Sequence, residues 1–463
     1  MNEVRFFMRV SASFVTFSKG DFVKHRRLLL IGVALVVLVL VSVSLAACGS
    51  STTTTTAAAP TGTTAASTGT TAAAAAGADI VVGAINSMSG SNVLTGQEEK
   101  WAQEKAVADI NAKGGVKLKD GQMHKIVLKY ADDKSDPTAG AAAMEQLIKV
   151  NGIKLILSSN ITPVNQAAAQ VAEKYQVYFD ITSSWIDDAS PDGKFAGFIG
   201  GMNLKWATDF FESAGESGKN ALGAIKAMQN PADTPKNFAV MTDNSPDGTG
   251  FGNATDAGLK AAGYNVVTYE QYSAQGTPDF SSIILKYKQM NVDGVVCLID
   301  PAAGITFVKQ MKEANWAPKF LFGYKGFWPA DFYKALGKDA EFIGHDGFWS
   351  ETLPFPYSKE LGAAFTAANG GATSNSVGLY YAAVQILAMA LEKAGSADPG
   401  PVRDQVFGGT FAGTTMGDIT FNAKGISHLP FLGFQWQNGK RVVVFPTQYA
   451  QGKVETFAPW AGR

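Results

Sequence analysis

The sequence predicts an α/β fold built from two similar lobes. Short β-branched runs alternate with longer segments of helical pattern, and the runs are apolar on both faces, as expected of buried parallel strands. One such series extends from residue 80 to about 200, and a second from about 237 to 350. Because ligands of open α/β sheets bind beyond the carboxyl ends of the strands, two facing lobes would hold a ligand in the cleft between them.

The composition agrees with a globular body of two domains. The chain has 463 residues, which is too many for one ordinary core. The formal net charge is −1 and the lysines and arginines are scattered, so neither nucleic acid nor an anionic membrane surface is indicated as a partner.

The first 47 residues are typical of an export signal. Basic residues at 24, 26 and 27 precede an uninterrupted apolar stretch over 28–47. The segment Leu45-Ala46-Ala47-Cys48 resembles the lipobox of bacterial lipoproteins, in which the cysteine is lipidated and becomes the new amino terminus. We therefore predict a signal peptide over 1–47 and a lipid anchor on Cys48; an uncleaved membrane helix or a chance cysteine are the alternatives. Either a lipid anchor or a membrane helix would place the body at the extracytoplasmic face of the cell membrane.

A low-complexity tract follows the cysteine. Residues 49–78 are almost wholly Ser, Thr, Ala and Gly, which bury too little apolar surface to offset chain entropy. We predict that 48–78 is a disordered linker between the lipid anchor and a folded body that begins at Asp79.

The strands of the body are predicted from their apolar runs. These runs lie at 80–85, 125–130 and 153–158 in the first series, and at 237–242, 264–269, 293–299 and 319–323 in the second. A long helix near 376–394 and strands near 417–445 follow. We expect these late segments to return and complete each sheet.

Helices are predicted to begin just after several of these strands. Four pairs of Asp or Thr with Pro mark the junctions: Asp136-Pro137, Thr162-Pro163, Thr277-Pro278 and Asp300-Pro301. Proline wastes no N–H at a first helical position, and the preceding oxygen can accept an orphan amide. Thr95 and Glu98 have the spacing of a capping box for the first helix, which Gly114-Gly115 would end.

Motifs for catalysis and cofactor binding are missing. The loop after the first strand lacks GxGxxG, the glycines at 248, 250 and 252 suit turns better than a pyrophosphate, and there is no P-loop or GxSxG elbow. The four histidines show no ligand spacing, and Cys297 lies within an apolar strand as an inert thiol. The sequence therefore predicts no enzyme, no metal and no cofactor.

Two stretches carry a family resemblance. VGAINSMSGSNVLTGQEEKWAQEKAVADINAKGGV and VLKYADDKSDPTAGAAAMEQLI closely resemble the opening of the Leu/Ile/Val-type periplasmic solute-binding proteins, and the resemblance covers nearly all of 79–450. It implies two doubly wound lobes of the type I periplasmic binding fold, joined by three crossovers, that close on a solute by a hinge motion.

The resemblance also implies boundaries for the two lobes. We place the crossovers near 200, 352 and 420. The expected ranges are 79–200 plus 353–419 for lobe 1, and 201–352 plus 420–463 for lobe 2.

The implied function is that of a monomeric, lipid-anchored receptor for an ABC importer. It would capture a small amphipathic solute, such as an amino acid or a related carboxylate or amide, and deliver it to a permease and ATPase. A sensor that signals to a membrane receptor or kinase without transport is the alternative. A hydrolase is disfavoured because no nucleophile is evident.

The first-lobe site residues follow from the family's loops. The loop after the third strand would offer Ser158, Ser159 and Asn160 to a ligand carboxylate. The next loop would offer the carbonyl of Thr182 to an ammonium group and the hydroxyl of Ser184 to the carboxylate. Neutral donors at helix starts suit an anion, although simple N-capping is the competing interpretation.

The second lobe departs from the family pattern. Asp247 and Asp300 stand where amino-acid binders have tyrosines, and Lys325 stands where they have the glutamate that pairs with the ligand's ammonium group. A lysine would repel an ammonium at close range. Either the ligand lacks an amino group and Lys325 binds an acid, or an aspartate has taken over the ammonium. Helix capping by Asp300 and a solvent-facing Lys325 are the structural alternatives.

Aromatic residues are expected along the cleft. Trp185 follows the Ser-Ser loop, and Thr95 replaces a family tyrosine in the first loop and leaves more room there. Further aromatic residues follow near the predicted lobe 2 loops and a crossover: Tyr324, Phe327, Trp328, Phe348 and Trp349. Flat apolar walls with a few polar anchors predict a pocket for a small amphipathic ligand, with core packing as the alternative for some rings.

Overall fold

The computed structural model describes residues 76–186, 199–273, 279–429, 431–457 and 459–460. The predicted signal peptide, Cys48 and most of the predicted linker lie outside these residues, as does the Thr277-Pro278 junction. Within the described ranges, no helix is both long enough and apolar enough to cross a membrane.

The strands are named in chain order. They are β1 (Ile80–Asn86), β2 (Val116–Lys117), β3 (Met123–His124), β4 (Ile126–Asp132), β5 (Leu155–Leu157), β6 (Tyr178–Thr182), β7 (Ala207–Phe211), β8 (Asn237–Asp243), β9 (Asn265–Tyr272), β10 (Gly294–Ile299), β11 (Phe320–Lys325), β12 (Gly344–Gly347), β13 (Thr410–Thr414), β14 (Gly417–Thr420), β15 (Ile426–His428), β16 (Leu432–Gln437) and β17 (Lys440–Phe445).

The α-helices are named in the same way. They are α1 (Val93–Ala112), α2 (Pro137–Glu145), α3 (Thr162–Tyr175), α4 (Ala214–Lys226), α5 (Pro246–Ala261), α6 (Ser281–Gln289), α7 (Pro301–Glu313), α8 (Ala330–Leu336), α9 (Ser358–Ala368), α10 (Val377–Ala394) and α11 (Pro399–Val406). One π-helical turn, Gln146–Val150, continues α2, and short 3₁₀ turns lie at Ile199–Met202, Pro231–Asp233 and Gly337–Ala340.

The first sheet has six strands in the order β15-β7-β6-β5-β1-β4, and all its pairs are parallel. Every residue of β5 and β6 is buried, which fits strands covered by helices on both faces. We define lobe 1 as this sheet with the helices connected to it, namely α1–α3 and α9–α11.

The second sheet has seven strands in the order β17-β16-β12-β11-β10-β8-β9. Its strands β8 to β12 pair in parallel, while β16 and β17 add an antiparallel edge. We define lobe 2 as this sheet with α4–α8. The prediction of an α/β fold with two lobes is confirmed, and both sheets are rich in parallel pairs.

The chain passes between the sheets at three places. It leaves the first sheet after β7, returns after β12, and leaves again after β15. The strands β7 and β15 therefore lie in the first sheet, beyond the crossovers expected near 200 and 420. β15 is a short edge strand that pairs with β7, and this long-range pairing has no signal in the local sequence.

Helix starts follow the expected chemistry only in part. Asp136 caps α2, because its side chain accepts from the amide of Ala139 at 2.8 Å. The capping box at Thr95 is wrong: α1 begins earlier, at Val93, and Thr95 lies inside the helix. Thr162 is the first residue of α3 rather than its cap, and its hydroxyl accepts from the amide of Trp185 at 3.2 Å.

Candidate ligand site between the lobes

The loop after β5 places its hydroxyl groups at the carboxyl edge of the first sheet. The Ser158 hydroxyl accepts from the Thr182 amide at 2.9 Å and donates to the Ser159 carbonyl at 3.1 Å. The Ser159 hydroxyl donates to the carboxylate of Asp133 at 2.5 Å. These contacts tie the ends of β4, β5 and β6 together, so the three predicted residues Ser158, Ser159 and Thr182 lie in one buried group.

Two acids that sequence reasoning missed support this loop. Asp133 is buried behind Ser159 and also accepts from the hydroxyl of Ser87 at 2.9 Å. Glu99 is fully buried and accepts from the side-chain amides of Asn160 and Asn86, each at 3.0 Å. Burial raises the pKa of Glu99 well above its usual range, so burial favours the protonated form of its carboxyl group.

The side chain of Asn160 uses only one of its two polar groups in this arrangement. Its amide nitrogen donates to Glu99, while its buried carbonyl oxygen has no hydrogen-bond partner among the residues that the structure describes. A buried polar atom without a partner is costly unless something else satisfies it. The oxygen is therefore a ready acceptor at the edge of the first sheet.

The loop after β6 is a strained turn. Ser183 has φ of 60°, a conformation that favours glycine, and its hydroxyl lies 3.1 Å from the hydroxyl of Tyr380. Ser184 is fully buried and accepts from the side-chain amide of Asn165 at 2.8 Å. The same Asn165 bonds both the amide and the carbonyl of Ser159, so one side chain links the two predicted loops.

Aromatic rings join the lobes next to this loop. Trp185 of lobe 1 packs edge-on against Phe211 at 5.7 Å between ring centroids, and lies 6.2 Å from Phe251, which belongs to α5 of lobe 2. Phe251 in turn lies 4.4 Å from Tyr324 at the end of β11. The predicted residue Trp185 is therefore part of an apolar wall shared by both lobes.

Lys325 ends β11 in an unusual conformation. Its φ is 59°, and the amide of Gly326 donates to the carbonyl of Tyr324 at 2.7 Å across it, which closes a tight turn of three residues. Only glycine fits at 326, because an added Cβ would lie 2.6 Å from the carbonyl oxygen of Ile299. Lys325 is 7 % exposed, so it does not point freely into solvent.

Asp300 lies beside Lys325. In the parallel pairing of β10 with β11, Ile299 is opposite Lys325, and Asp300 is the next residue. Burial raises the pKa of Asp300, and the positive charge of Lys325 partly offsets that rise. Asp300 precedes α7 but makes no side-chain cap; instead its carboxylate accepts from the side-chain amide of Asn92 in lobe 1 at 3.3 Å. Lys325 and Asp300 are thus neighbouring buried groups at the boundary between the lobes, and they attract each other electrostatically.

The two remaining predicted site residues, Thr95 and Asp247, lie within helices. Thr95 is buried within α1. Asp247 lies in the first turn of α5, and its side chain falls outside what the structure describes. The cap of that helix is Ser245, whose hydroxyl accepts from the amide of Gly248 at 3.0 Å.

The described residues offer no evident site for a metal or for thiol chemistry. Among them, no group of His, Cys, Asp and Glu is arranged to hold a metal ion. Cys297 is fully buried in β10, and burial raises the pKa of its thiol. The arrangement between the lobes is suited to binding through neutral donors, one charged pair and aromatic walls.

Comparison with known proteins identifies the family. The family described as periplasmic binding protein matches residues 79–440, which is most of the chain. The chain belongs to the periplasmic binding protein family. Members of this family are binding proteins, so the chain is not an enzyme.

Individual relatives cover nearly the whole body. A Leu/Ile/Val-binding protein homolog from Brucella melitensis is 28% identical over 371 residues, which span 80% of this chain and 94% of the relative. The crystal structure of a substrate-binding protein of a branched-chain amino acid transporter from Streptococcus pneumoniae, in complex with isoleucine, superposes with a TM-score of 0.66 at 22% identity and covers 78% of this chain and 97% of its own.

A solved structure that contains an aromatic acid is similar to this chain to nearly the same degree. A solute-binding protein of an ABC transporter from Rhodopseudomonas palustris, in complex with 3,4-dihydroxybenzoic acid, has a TM-score of 0.64 at 19% identity and covers 78% of this chain and 95% of its own. These structural likenesses establish the fold of the family.

Proposed function

We propose that this protein is an extracytoplasmic receptor that captures a small organic carboxylate between its lobes and delivers it to an ABC permease and ATPase. The observation that carries the proposal is the polar contact between the lobes at Asp300, which lies beside Lys325 in lobe 2 and accepts from Asn92 of lobe 1. Family membership and the transporters named for its relatives support the delivery step.

The chemistry of the two surfaces favours a solute with both an anionic and a cationic or dipolar group. A hydroxyl group such as that of Ser158, when turned toward the solute, stabilises a carboxylate without adding charge, and the buried carbonyl oxygen of Asn160 can accept from an ammonium group. Asp300 already balances the charge of Lys325. A zwitterionic solute offers its anionic group to Lys325 and its cationic group to Asp300, whereas a solute that carries only a negative charge is repelled by Asp300. An amino acid is therefore the first candidate, and the named ligand of the Streptococcus relative agrees with it.

A second candidate is an aromatic carboxylate. The rings of Trp185, Phe251 and Tyr324 form a continuous wall between the lobes, and flat rings stack well against such walls. The dihydroxybenzoic acid bound by the Rhodopseudomonas relative is of this class. In that case Lys325 would hold the carboxylate, with Asp300 as its supporting counter-ion.

We also propose a lipid anchor at Cys48, with 49–78 as its tether. The proposal rests on the lipobox-like sequence before Cys48 and on the Thr- and Ala-rich composition after it. Mass spectrometry of the purified mature protein tests it: a diacylated Cys48 at the amino terminus is expected. A mature protein that begins elsewhere would contradict the proposal.

Isothermal titration and thermal unfolding with a solute panel test the binding function. The panel contains branched-chain and aromatic amino acids, their deaminated acids, and substituted benzoates. A solute that binds only the folded protein must raise the melting temperature. Stabilisation by amino acids but not by their deaminated counterparts supports the zwitterion, and the reverse supports the aromatic acid. If no carboxylate binds, the proposed function is wrong.

A further inference from the structure

A carboxylate of lobe 1 reaches across to lobe 2 outside the ligand site. Glu98 lies in α1, and its side chain is 6 % exposed. One carboxylate oxygen accepts from the backbone amide of Ala330, the first residue of α8 in lobe 2, at 2.7 Å. The other oxygen accepts from the hydroxyls of Ser374 and Ser376 in lobe 1, at 2.6 Å and 3.2 Å.

Glu98 accepts from the amide of Ala330, which has no acceptor within its own helix α8. The first amides of a helix have no partner within the helix, and Pro329, which precedes α8, provides no side-chain cap. Glu98 therefore supplies, from the opposite lobe, the acceptor that a capping residue normally supplies. When the lobes separate, the amide of Ala330 loses this acceptor while Glu98 keeps its two serines.

A guanidinium group makes the reciprocal contact. Arg441 lies in β17 of lobe 2, is 8 % exposed, and stacks over the ring of Trp436 at 4.4 Å. It donates to the carbonyl of Thr373 in lobe 1 and to the carbonyl of Trp328 in lobe 2, and its charge acts on Glu98. One acid of lobe 1 and one base of lobe 2 thus each bind the backbone of the other lobe.

We infer that Glu98 is a positioning residue for solute capture, which holds the two lobes closed by its bond to Ala330. The inference rests on the proposed function, because closure retains the solute. Its role differs from that of the ligand-site residues: the bond changes the balance of open and closed protein whether or not a solute is present. A single buried hydrogen bond changes such a balance by up to about tenfold.

Two variants remove the bond from opposite sides. Glu98→Ala removes the acceptor. Ala330→Pro removes the donor and nothing else from α8, because proline suits the first position of a helix, and the φ of −62° and ψ of 145° at Pro329 are those that a residue before proline adopts. Ser376→Ala is the matched control, since it removes a partner of Glu98 within lobe 1 and leaves the contact between the lobes.

The readout is a distance between the lobes in protein dialysed free of solute. Spin labels at Val150→Cys in lobe 1 and Leu285→Cys in lobe 2, both exposed positions, report it in a Cys48→Ser background. We expect Glu98→Ala and Ala330→Pro each to shift the ratio of closed to open protein by about tenfold toward open. Glu98→Gln keeps an acceptor oxygen and should restore much of the closed population, and Ser376→Ala should resemble the parent.

Unchanged distance distributions in both variants would overturn the inference, even if their melting temperatures fell. If Glu98→Ala does not fold, Ala330→Pro decides the outcome alone. The distance measurement is made without solute, so a negative result in it does not bear on the proposed binding function. Conversely, a solute panel without binding does not bear on the distance measurement.

Discussion

The backbone of Lys325 is held in a conformation that its side chain disfavours. A non-glycine residue at a φ of 59° costs of the order of 1–3 kcal/mol, and the surrounding contacts must compensate for it. Glycine would adopt the same turn without cost, and the next residue is in fact Gly326. A buried, charged side chain retained under these conditions points to a role in binding.

Replacing Lys325 tests its role in solute binding separately from its effect on stability. Lys325→Gly removes the charge and relieves the turn, so we expect the free energy of unfolding to change by less than about 1 kcal/mol, because the relief offsets the lost pairing with Asp300. Affinity for the best solute of the panel should fall at least about tenfold by titration calorimetry. Lys334→Ala, at an 83% exposed side chain, is the control. An unchanged affinity would show that Lys325 does not contact the solute.

Two buried acids on β6 and β7 make stability depend on pH. Burial raises the pKa of Asp180 to about 8 and that of Asp209 well above its usual range. Both carboxylate oxygens of Asp209 lack hydrogen-bond partners among the described residues. The folded protein therefore holds protons that the unfolded chain releases above about pH 4.

The sign of the pH dependence follows from this difference. Between about pH 4 and pH 8 the folded state binds more protons than the unfolded state, so stability is highest at the acidic end and is lost as the pH rises. We expect urea unfolding to show a loss of up to about 1.4 kcal/mol per pH unit for Asp180. Asp180→Asn should reduce this slope and leave the part due to Asp209, whereas Asp404→Asn, at an exposed side chain, should leave the slope unchanged. A slope that is the same in Asp180→Asn as in the parent would contradict the assignment.

At the scale of elements, one acid fixes the second crossover to lobe 1. Asp109 of α1 accepts from the hydroxyls of Tyr357 and Tyr381, at 3.0 Å and 2.9 Å, and from Lys105 at 2.6 Å. Tyr357 follows the return from β12 and has φ of 62°. The cluster thus joins the crossover segment to α1 and α10.

Removing that acid should loosen the crossover. Asp109→Ala leaves two hydroxyls and an ammonium group without their common acceptor, and we expect a loss of about 2–3 kcal/mol in the free energy of unfolding. Urea denaturation measures it. Glu104→Ala, at a more exposed position of the same helix, should change stability by less than about 0.5 kcal/mol. Equal effects of the two substitutions would show that the cluster adds no stability beyond a surface pair.

The sequence predicts elements best where burial on both faces leaves a clear pattern. The runs at 80–85, 237–242 and 293–299 became β1, β8 and β10 with small changes at their ends. β7 and its pairing with β15 were not predicted, because strands of five and three residues carry little periodic signal and the pairing joins segments far apart in the chain. The local motif at 95–98 predicted a capping box. Glu98 binds the other lobe instead, so a tertiary contact overrides the local preference.

The strand ends that hold the candidate site residues were predictable from the sequence, whereas the contacts of those residues were less so. Loops after β5, β6, β10 and β11 hold the predicted polar residues, because the carboxyl ends of parallel strands share one edge. The supporting acids Glu99 and Asp133 could not be identified as supports from sequence, since helix packing decides which side chains turn inward. The pairing of Lys325 with Asp300 likewise depends on the register of β10 with β11.

At the scale of the whole molecule, buried acids are a recurring feature. Burial raises the pKa of Glu98, Glu99, Asp133 and Asp346, in addition to that of the pair on β6 and β7. Groups of this kind are harder to ionise in the folded protein than in an open chain. At these sites the molecule therefore binds more protons when folded than when unfolded, so their contribution to stability falls as the pH rises.

The crossovers have a consequence for the newly made chain. The first sheet ends with β15 and the second with β16 and β17, so neither can be completed until residues 426–445 have left the ribosome. Until then, β7 and β12 each keep one edge without the neighbouring strand that they have in the folded protein. Long-range pairing of this kind forms slowly. Completion of both sheets is therefore expected to be a late and slow step of folding.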